Sequence, residues 1–322
     1  MISRRASLSL LCCAATGFLS LARAADWPAR PVTLVVPYAP GGNTDSMARI
    51  VADRLMRTIG KPFIVDNRAG AGGTIAAEYV ARAKPDGYTL FFGTVTQVST
   101  APFTNKIRYD PLKDFVPIAN VGGNPYVIAA RKDAPFKTLA ELIKYGKDHP
   151  GKLVVGHAGV GGLTHLSAAL LLNAAGIKAL LIPYKGGAPA LTDVLGGQID
   201  FYSGNLSEVL PYAKTGNLRL IAISSAKRVE QLPDVPTIAE TFPGYVVETW
   251  NGILGPAGMP QAAVDLIAAE MAKLHADPDF RAKLQSIGVT TIPEVKEEFR
   301  KRIVDDMAKW KPVIVNAGIA PE

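Results

Sequence analysis

Cysteine is nearly missing from this chain: of 322 residues only Cys12 and Cys13 carry thiols, and both fall within residues 1–24. That stretch has Arg4 and Arg5, an apolar run from Leu8 to Leu21, and the triplet Ala22-Arg23-Ala24. The pattern predicts a secretory signal peptide, with the exported chain beginning at Ala25. The run is shorter than the roughly 20 apolar residues of a membrane span. Leu11 and Cys12, which precede the cysteines, are not the small residues of a lipoprotein signal, and Ser7 stands where a twin-arginine signal carries an aromatic residue. The export route stays open. Once the leader is removed no cysteine remains, which excludes disulfides, thiol nucleophiles and cysteine-ligated metals from the exported form. The net charge falls from +7 to +4 because Arg4, Arg5 and Arg23 leave with it.

Histidine is also scarce, at four residues, and no two are nearer than the eight positions that separate His157 from His165 and from His149. Helical metal ligands sit three or four apart, so neither a metal nor another cofactor is expected. No run of Lys and Arg resembles a nucleic-acid footprint, and no later segment reaches membrane-spanning length. Enzyme motifs fail in turn. Gly146 to Lys152 is close to a P-loop, but Leu153 replaces the Mg²⁺-binding hydroxyl and the stretch precedes a strand. Ser224 to Lys227, Ser203 to Asn205 and Lys214 to Gly216 resemble penicillin-recognising motifs in the wrong order. Gly70 to Gly73 has Ile75 where a dinucleotide fingerprint needs glycine. Without a credible Ser, His and acid set, no catalytic residue is expected.

What is present is alternation. The chain is 48% hydrophobic, enough for two domains of ordinary size, and short β-rich runs alternate with amphipathic patterns, predicting α/β domains with largely parallel sheets. Residues 31–36 read as a strand, 37–43 as a loop, and Thr44 or Asp45 as the N-cap of a helix that Gly60 stops. A second unit has a strand over 63–66, a glycine turn over 67–73, a helix through Ala83 and a strand over 88–92. A third has Leu153 to Val155, the loop 156–162 and a helix ending near Gly176. Strand 179–183, loop 184–187 and a helix through Leu195 follow, and a helix from about Glu294 carries Phe299, Ile303, Met307 and Trp310 on one face.

The chemistry sits in the glycine loops. A strand ending in a Gly-rich turn that opens a helix points free main-chain N–H groups outward, and the helix dipole favours an anion there. Loops 37–45 and 156–164 contain no Lys or Arg, which favours neutral capture of a carboxylate, aided by Thr44 and Thr164, over a phosphate clamp. For either loop alone, a plain tight turn explains the glycines equally well; two loops together favour binding. His157 is a candidate ligand contact, His165 reads as a hydrogen-bonded helix-start residue, and Tyr38 and Trp250 fit packing or a ligand wall equally.

Longer motifs narrow the reading. Trp27 to Pro31, Pro37 to Asp45, Asn67 to Gly73, Pro85 to Leu90, Tyr109-Asp110-Pro111 with Lys113-Asp114-Phe115, Gly159 to Gly161 with His165, Tyr184 to Gly186, Leu232 to Thr237, Trp250 to Gly252 and Pro256 to Pro260 together resemble the Bug/TctC receptors. These are extracytoplasmic solute-binding proteins of tripartite tricarboxylate transporters. The resemblance implies a type II periplasmic-binding-protein fold, an α/β architecture of two lobes joined by a double-crossover hinge: residues 25–124 with 246–322, and residues 125–245. It implies a ligand held by Tyr38, Ala39, Gly41, Gly42, Asn43, Thr44, Thr94, Gln97, His157, Gly159, Gly161, Gly162, Thr164, Tyr184 and Asn205, with Asp45 bracing the first loop. The expected partners are a small carboxylate and, transiently, membrane transporter subunits, for a periplasmic monomer. A sensor subunit for a membrane kinase is the alternative. Where many relatives carry Ser, this chain has His157 and Gly162, and where they carry Asp it has Gly204. The missing acid predicts a di- or tricarboxylate or an aromatic acid in preference to an amino acid.

Overall fold

The computed structural model describes residues 27–213 and 215–318, so the expected signal peptide lies outside the described residues. Strand β1 (Val32–Val36) is an aliphatic run with four of five residues buried. Helix α1 (Asn43–Ile59) follows it and buries Met47, Val51 and Leu55, one turn apart, until Gly60 ends it in a left-handed conformation with its N–H on Met56 O. Next come β2 (Phe63–Asn67), α2 (Thr74–Ala81), β3 (Thr89–Thr94) and the short α3 (Ala101–Thr104). Strands β2 and β3 flank β1 in parallel register, Leu34 facing both Val65 and Leu90.

The 17-residue β4 (Phe115–Arg131) leads into α4 (Leu139–Asp148), β5 (Leu153–His157), α5 (Leu163–Ala175), β6 (Ala179–Pro183), α6 (Gly187–Leu195), β7 (Phe201–Asn205), α7 (Leu206–Ala213) and β8 (Leu218–Ile223). The chain returns through β9 (Glu248–Pro256), α8 (Gln261–Ala276), α9 (Pro278–Ser286), β10 (Thr290–Thr291) and α10 (Glu297–Asn316). The strand order is β2-β1-β3-β9-β4-β7-β5-β6, with β8 and β10 pairing to β4. Two α/β lobes therefore stand side by side, with β4 belonging to both. Its residues Phe115 to Pro125 pair with β9, and from Tyr126 onward it pairs with β7 and β8.

The expectation of largely parallel sheets needs correction. The strands linked by α-helical crossovers are parallel, but β4 and β9 pair antiparallel with each other and with their neighbours. A chain that enters the second lobe and comes back must run in both directions past the same point. The helix ends also differ from the periodicity reading. Helix α2 stops at Ala81, and α10 begins at Glu297 because residues near 294–296 bond instead to β4, with Asn120 N donating to Glu294 O and Lys296 N to Ile118 O.

Helix α10 buries Phe299, Ile303, Trp310 and Ile314, whereas Met307 is only half-buried. Phe299 meets Trp250 edge-on, centroids 5.0 Å apart, and the Trp250 indole N–H donates to Asp306 Oδ2 at 2.7 Å. Trp250 is thus a packing aromatic. Burial raises the Asp306 carboxyl above its ordinary range, more than the Trp250 hydrogen bond lowers it. A raised carboxyl pKa means the native state holds its proton more tightly than the unfolded chain. Stability is therefore lost as pH climbs through that interval. Asp306→Asn keeps an acceptor for Trp250 and removes the buried charge. Its melting temperature is expected to exceed that of the unaltered protein at pH 7, with the gain vanishing near pH 4; equal melting at pH 7 would refute the account.

Candidate ligand-binding cleft

Helix starts converge between the lobes. Helices α1, α5 and α6 follow Gly42, Gly162 and Gly186, N-cap glycines that have no side chain of their own to cap the first turn. Neither Thr44 nor Asp45 is the N-cap of α1, as the sequence suggested: Gly42 is, at φ −84° and ψ 179°. Asp45 lies one turn inside and reaches back. Its Oδ2 accepts from Gly41 N and Arg49 Nε, each at 2.9 Å, while Oδ1 accepts from Asn67 Nδ2 at 3.0 Å. Burial alone would raise the Asp45 pKa, but Arg49, the Gly41 N–H and Asn67 outweigh it and hold the carboxyl below its ordinary range. Asn67 Nδ2 also donates to Tyr38 O at 3.0 Å, so one carboxylate and one amide fix both ends of the first glycine loop.

The helix starts surround an inner cavity of about 20 Å³, room for about one water. Of the expected contacts, Tyr38, Gly42, Asn43, Thr44, Thr94, Thr164 and Asn205 line it. Gln97 does not; its Nε2 donates to Tyr38 OH at 3.0 Å and to Gly72 O at 2.9 Å, and its Oε1 accepts from the Thr94 N–H and hydroxyl. It aims the Tyr38 phenol, whose pKa burial pushes up. Thr164 Oγ1 accepts from Ala158 N at 2.9 Å and ties the second loop to α5. Gly159 and Tyr184 line a separate outer mouth of about 370 Å³ together with Lys185. The Tyr184 hydroxyl donates to Asp193 at 2.6 Å, and burial, followed by Asp193, pushes its pKa up to about 12.

His157 is buried beneath the second loop. Its Nδ1 lies 2.9 Å from Gly159 O, and its ring stacks on His165 with centroids 4.5 Å apart. Burial, with the neighbouring His165, pushes its pKa down to about 4, so it is neutral at pH 7 and brings no cation to the cleft. His165 Nδ1 in turn accepts from Gly161 N at 3.2 Å.

The lobes touch through these loops. Ala39 N donates to Lys185 O at 3.0 Å, Leu163 N to Thr96 Oγ1 at 3.3 Å, and Thr104 Oγ1 to Gly161 O at 3.1 Å. A Cβ on Gly159, itself at φ +135°, would lie 2.9 Å from Gly72 Cα. Glycine is required there because one main chain packs directly on another.

Sequence reasoning missed Thr96, Tyr126, Thr249 and above all Glu208, which also line the cavity. Glu208 Oε1 accepts from Asn43 N at 2.9 Å across the cleft, and Oε2 accepts from Tyr202 OH at 2.8 Å and Asn205 N at 3.1 Å. The signal was available: Asn205 and Glu208 stand at the cap and third-residue spacing of a capping box at the start of α7. Among the described residues no group of three or more His, Cys, Asp and Glu could hold a metal ion, and no helix is long and apolar enough to cross a membrane.

Two lobes joined by paired crossing strands, with three glycine-capped helix starts facing a cavity between them, define a solute-binding receptor of the periplasmic-binding-protein type. The family model described as tripartite tricarboxylate transporter family receptor, TctC, matches residues 47–319, and the chain belongs to that family. It is 33% identical to the protein BugT of Bordetella pertussis over 312 residues, 95% of this chain and 94% of that one. Among solved structures it superposes on an R. palustris protein described with adipate, at TM-score 0.90 and 35% identity over 92% of this chain and all of the other. It also superposes on MatC from Rhodopseudomonas palustris, described with bound malate, at TM-score 0.84 and 33% identity over 89% and 99% of the two chains.

Proposed function

We propose that this receptor captures a small carboxylate in its interlobe cleft and delivers it to the membrane subunits of a tripartite tricarboxylate transporter, without transforming it. The observation that carries the reading is the convergence of three glycine-capped helix starts on a cavity that no Lys or Arg lines among the described residues. Main-chain N–H groups and threonine hydroxyls suit a carboxylate there. The adipate and malate of the two similar structures support the same class. The protein acts as an exported monomer, cleaved after Ala24, with one lobe formed by residues 25–124 and 246–322 and the other by 125–245. In this reading Tyr38, Asn43, Thr44, Thr94, Thr164 and Asn205 meet the ligand, while Ala39, Gly41, Gln97, His157, Gly161 and Gly162 shape the loops that hold it.

A thermal-shift panel of di- and tricarboxylates, aromatic acids and amino acids tests this. A ligand at about 100 times its Kd stabilises by about 2.7 kcal/mol, a rise of roughly 4 °C for a protein of this size. If no carboxylate raises the melting temperature, the reading fails.

A further inference from the structure

The inner cavity has an unusual charge balance for a carboxylate receptor. Among the described residues lining it, Glu208 alone carries a formally charged side chain. The nearest cation along the loops, Lys185, lines the outer mouth instead, and both His157 ring contacts are to Gly159 and His165, behind the second loop. Glu208 also stands at the start of α1, its Oε1 on the Asn43 N–H. This is where a helix start would otherwise receive a ligand's anion. The start of α6 is no freer, because a Cβ on Gly187 would come within 2.1 Å of the same carboxylate.

Beside it, Asn205 Oδ1 is buried and accepts no hydrogen bond from the described residues. A buried acceptor without a donor is a deficit that something entering the cavity must meet. One wall therefore offers acceptors, and the helix α5 wall offers donors in the hydroxyls of Thr96 and Thr164, whose oxygens accept from Leu163 N and Ala158 N.

Resting on the carboxylate reading above, we infer that the cleft is polarised: the ligand's carboxylate faces the threonine wall, and a hydrogen-bond-donating end, an ammonium before a hydroxyl or amide, faces Glu208 and Asn205. Glu208 is the residue that sets specificity, and it rejects a second carboxylate at that end.

Isothermal titration at pH 7.5 with matched acids three to six carbons long tests this, comparing each unsubstituted diacid with the α- and ω-amino acids of the same length. The unaltered protein is expected to bind the best amino acid at least about tenfold more tightly than its diacid counterpart, and Glu208→Gln to abolish or reverse that ratio. A purely structural role for Glu208, as a clasp between lobes, would weaken both series in proportion; an unchanged ratio in the variant overturns the inference. So does a diacid that binds the unaltered protein as tightly as every amino acid tested. If neither series binds, this inference is overturned, while the carboxylate reading stands or falls with the thermal-shift panel of tricarboxylates and aromatic acids.

Discussion

Gly42→Val is expected to leave the protein folded and to reduce its affinity for its best ligand on the order of 100-fold or more. The backbone at Gly42, φ −84° and ψ 179°, is one that valine adopts readily, so the change adds little strain within its own lobe. The cap position tolerates it at a cost of about 1 kcal/mol. Across the cleft the situation differs. A Cβ at residue 42 would lie 3.1 Å from Glu208 Oε1, and 3.8 and 3.9 Å from Gly187 N and Ala188 N. The two methyls of valine extend beyond that Cβ into the start of α6 and the Glu208 carboxylate. Closing the lobes would then require breaking the Asn43–Glu208 hydrogen bond or holding the jaw ajar. Either penalty falls on the ligand-bound state, and about 2.7 kcal/mol there is a 100-fold change in Kd. Titration calorimetry beside a melting curve separates the two effects: unchanged affinity would show that the lobes need not approach this closely.

Asp45→Ala is expected to act on stability first. The carboxylate is buried and accepts from the main chain at Gly41, from Asn67 and from Arg49. Arg49 is half-exposed, so the ion pair itself adds little. The loss comes from the Gly41 N–H and the Asn67 amide, left without their acceptor, and amounts to about 3 kcal/mol. That corresponds to a fall of roughly 5 °C in melting temperature for a chain of this length. Because the native pKa of Asp45 is depressed, its contribution is complete above the ordinary carboxylate range and is lost as pH falls through the lower native value. The gap between the variant and the unaltered protein should therefore close in acid. A constant gap across pH would assign the loss to packing instead. Affinity falls too, since the first loop loses the brace that also sets Tyr38 through Asn67.

Elements with a strong apolar period were legible in the sequence, and those that work by exception were not. Helix α1 with its stop at Gly60, strand β6 and helix α5 ending before Gly176 follow directly from spacing and glycine placement. Strand β4 was illegible because Pro117, Gly122, Gly123 and Pro125 interrupt it. Each would break an isolated strand, yet here the strand changes partners midway and bulges against β9 at two places. The glycine loops showed where main-chain N–H groups would face a ligand. Which side chains complete the wall was not readable. Glu208 belongs to a helix that sequence reading passed over, and it reaches the cleft only because α7 starts directly from β7. His157 and Gln97 sit beside the cleft yet spend their polar atoms on the loops, a distinction set by three-dimensional partners and invisible in spacing.

The lack of cationic side chains around the inner cavity also governs how a ligand arrives. Dipoles at helix starts act over a single turn, whereas lysine or arginine at the same place would draw an anion from farther out. Capture by this receptor therefore depends on encounter and closure rather than long-range steering. Its association rate should respond to ionic strength only weakly, through Lys185 at the outer mouth and the small net positive charge, which keeps the receptor's sensitivity steady as the salt around it varies.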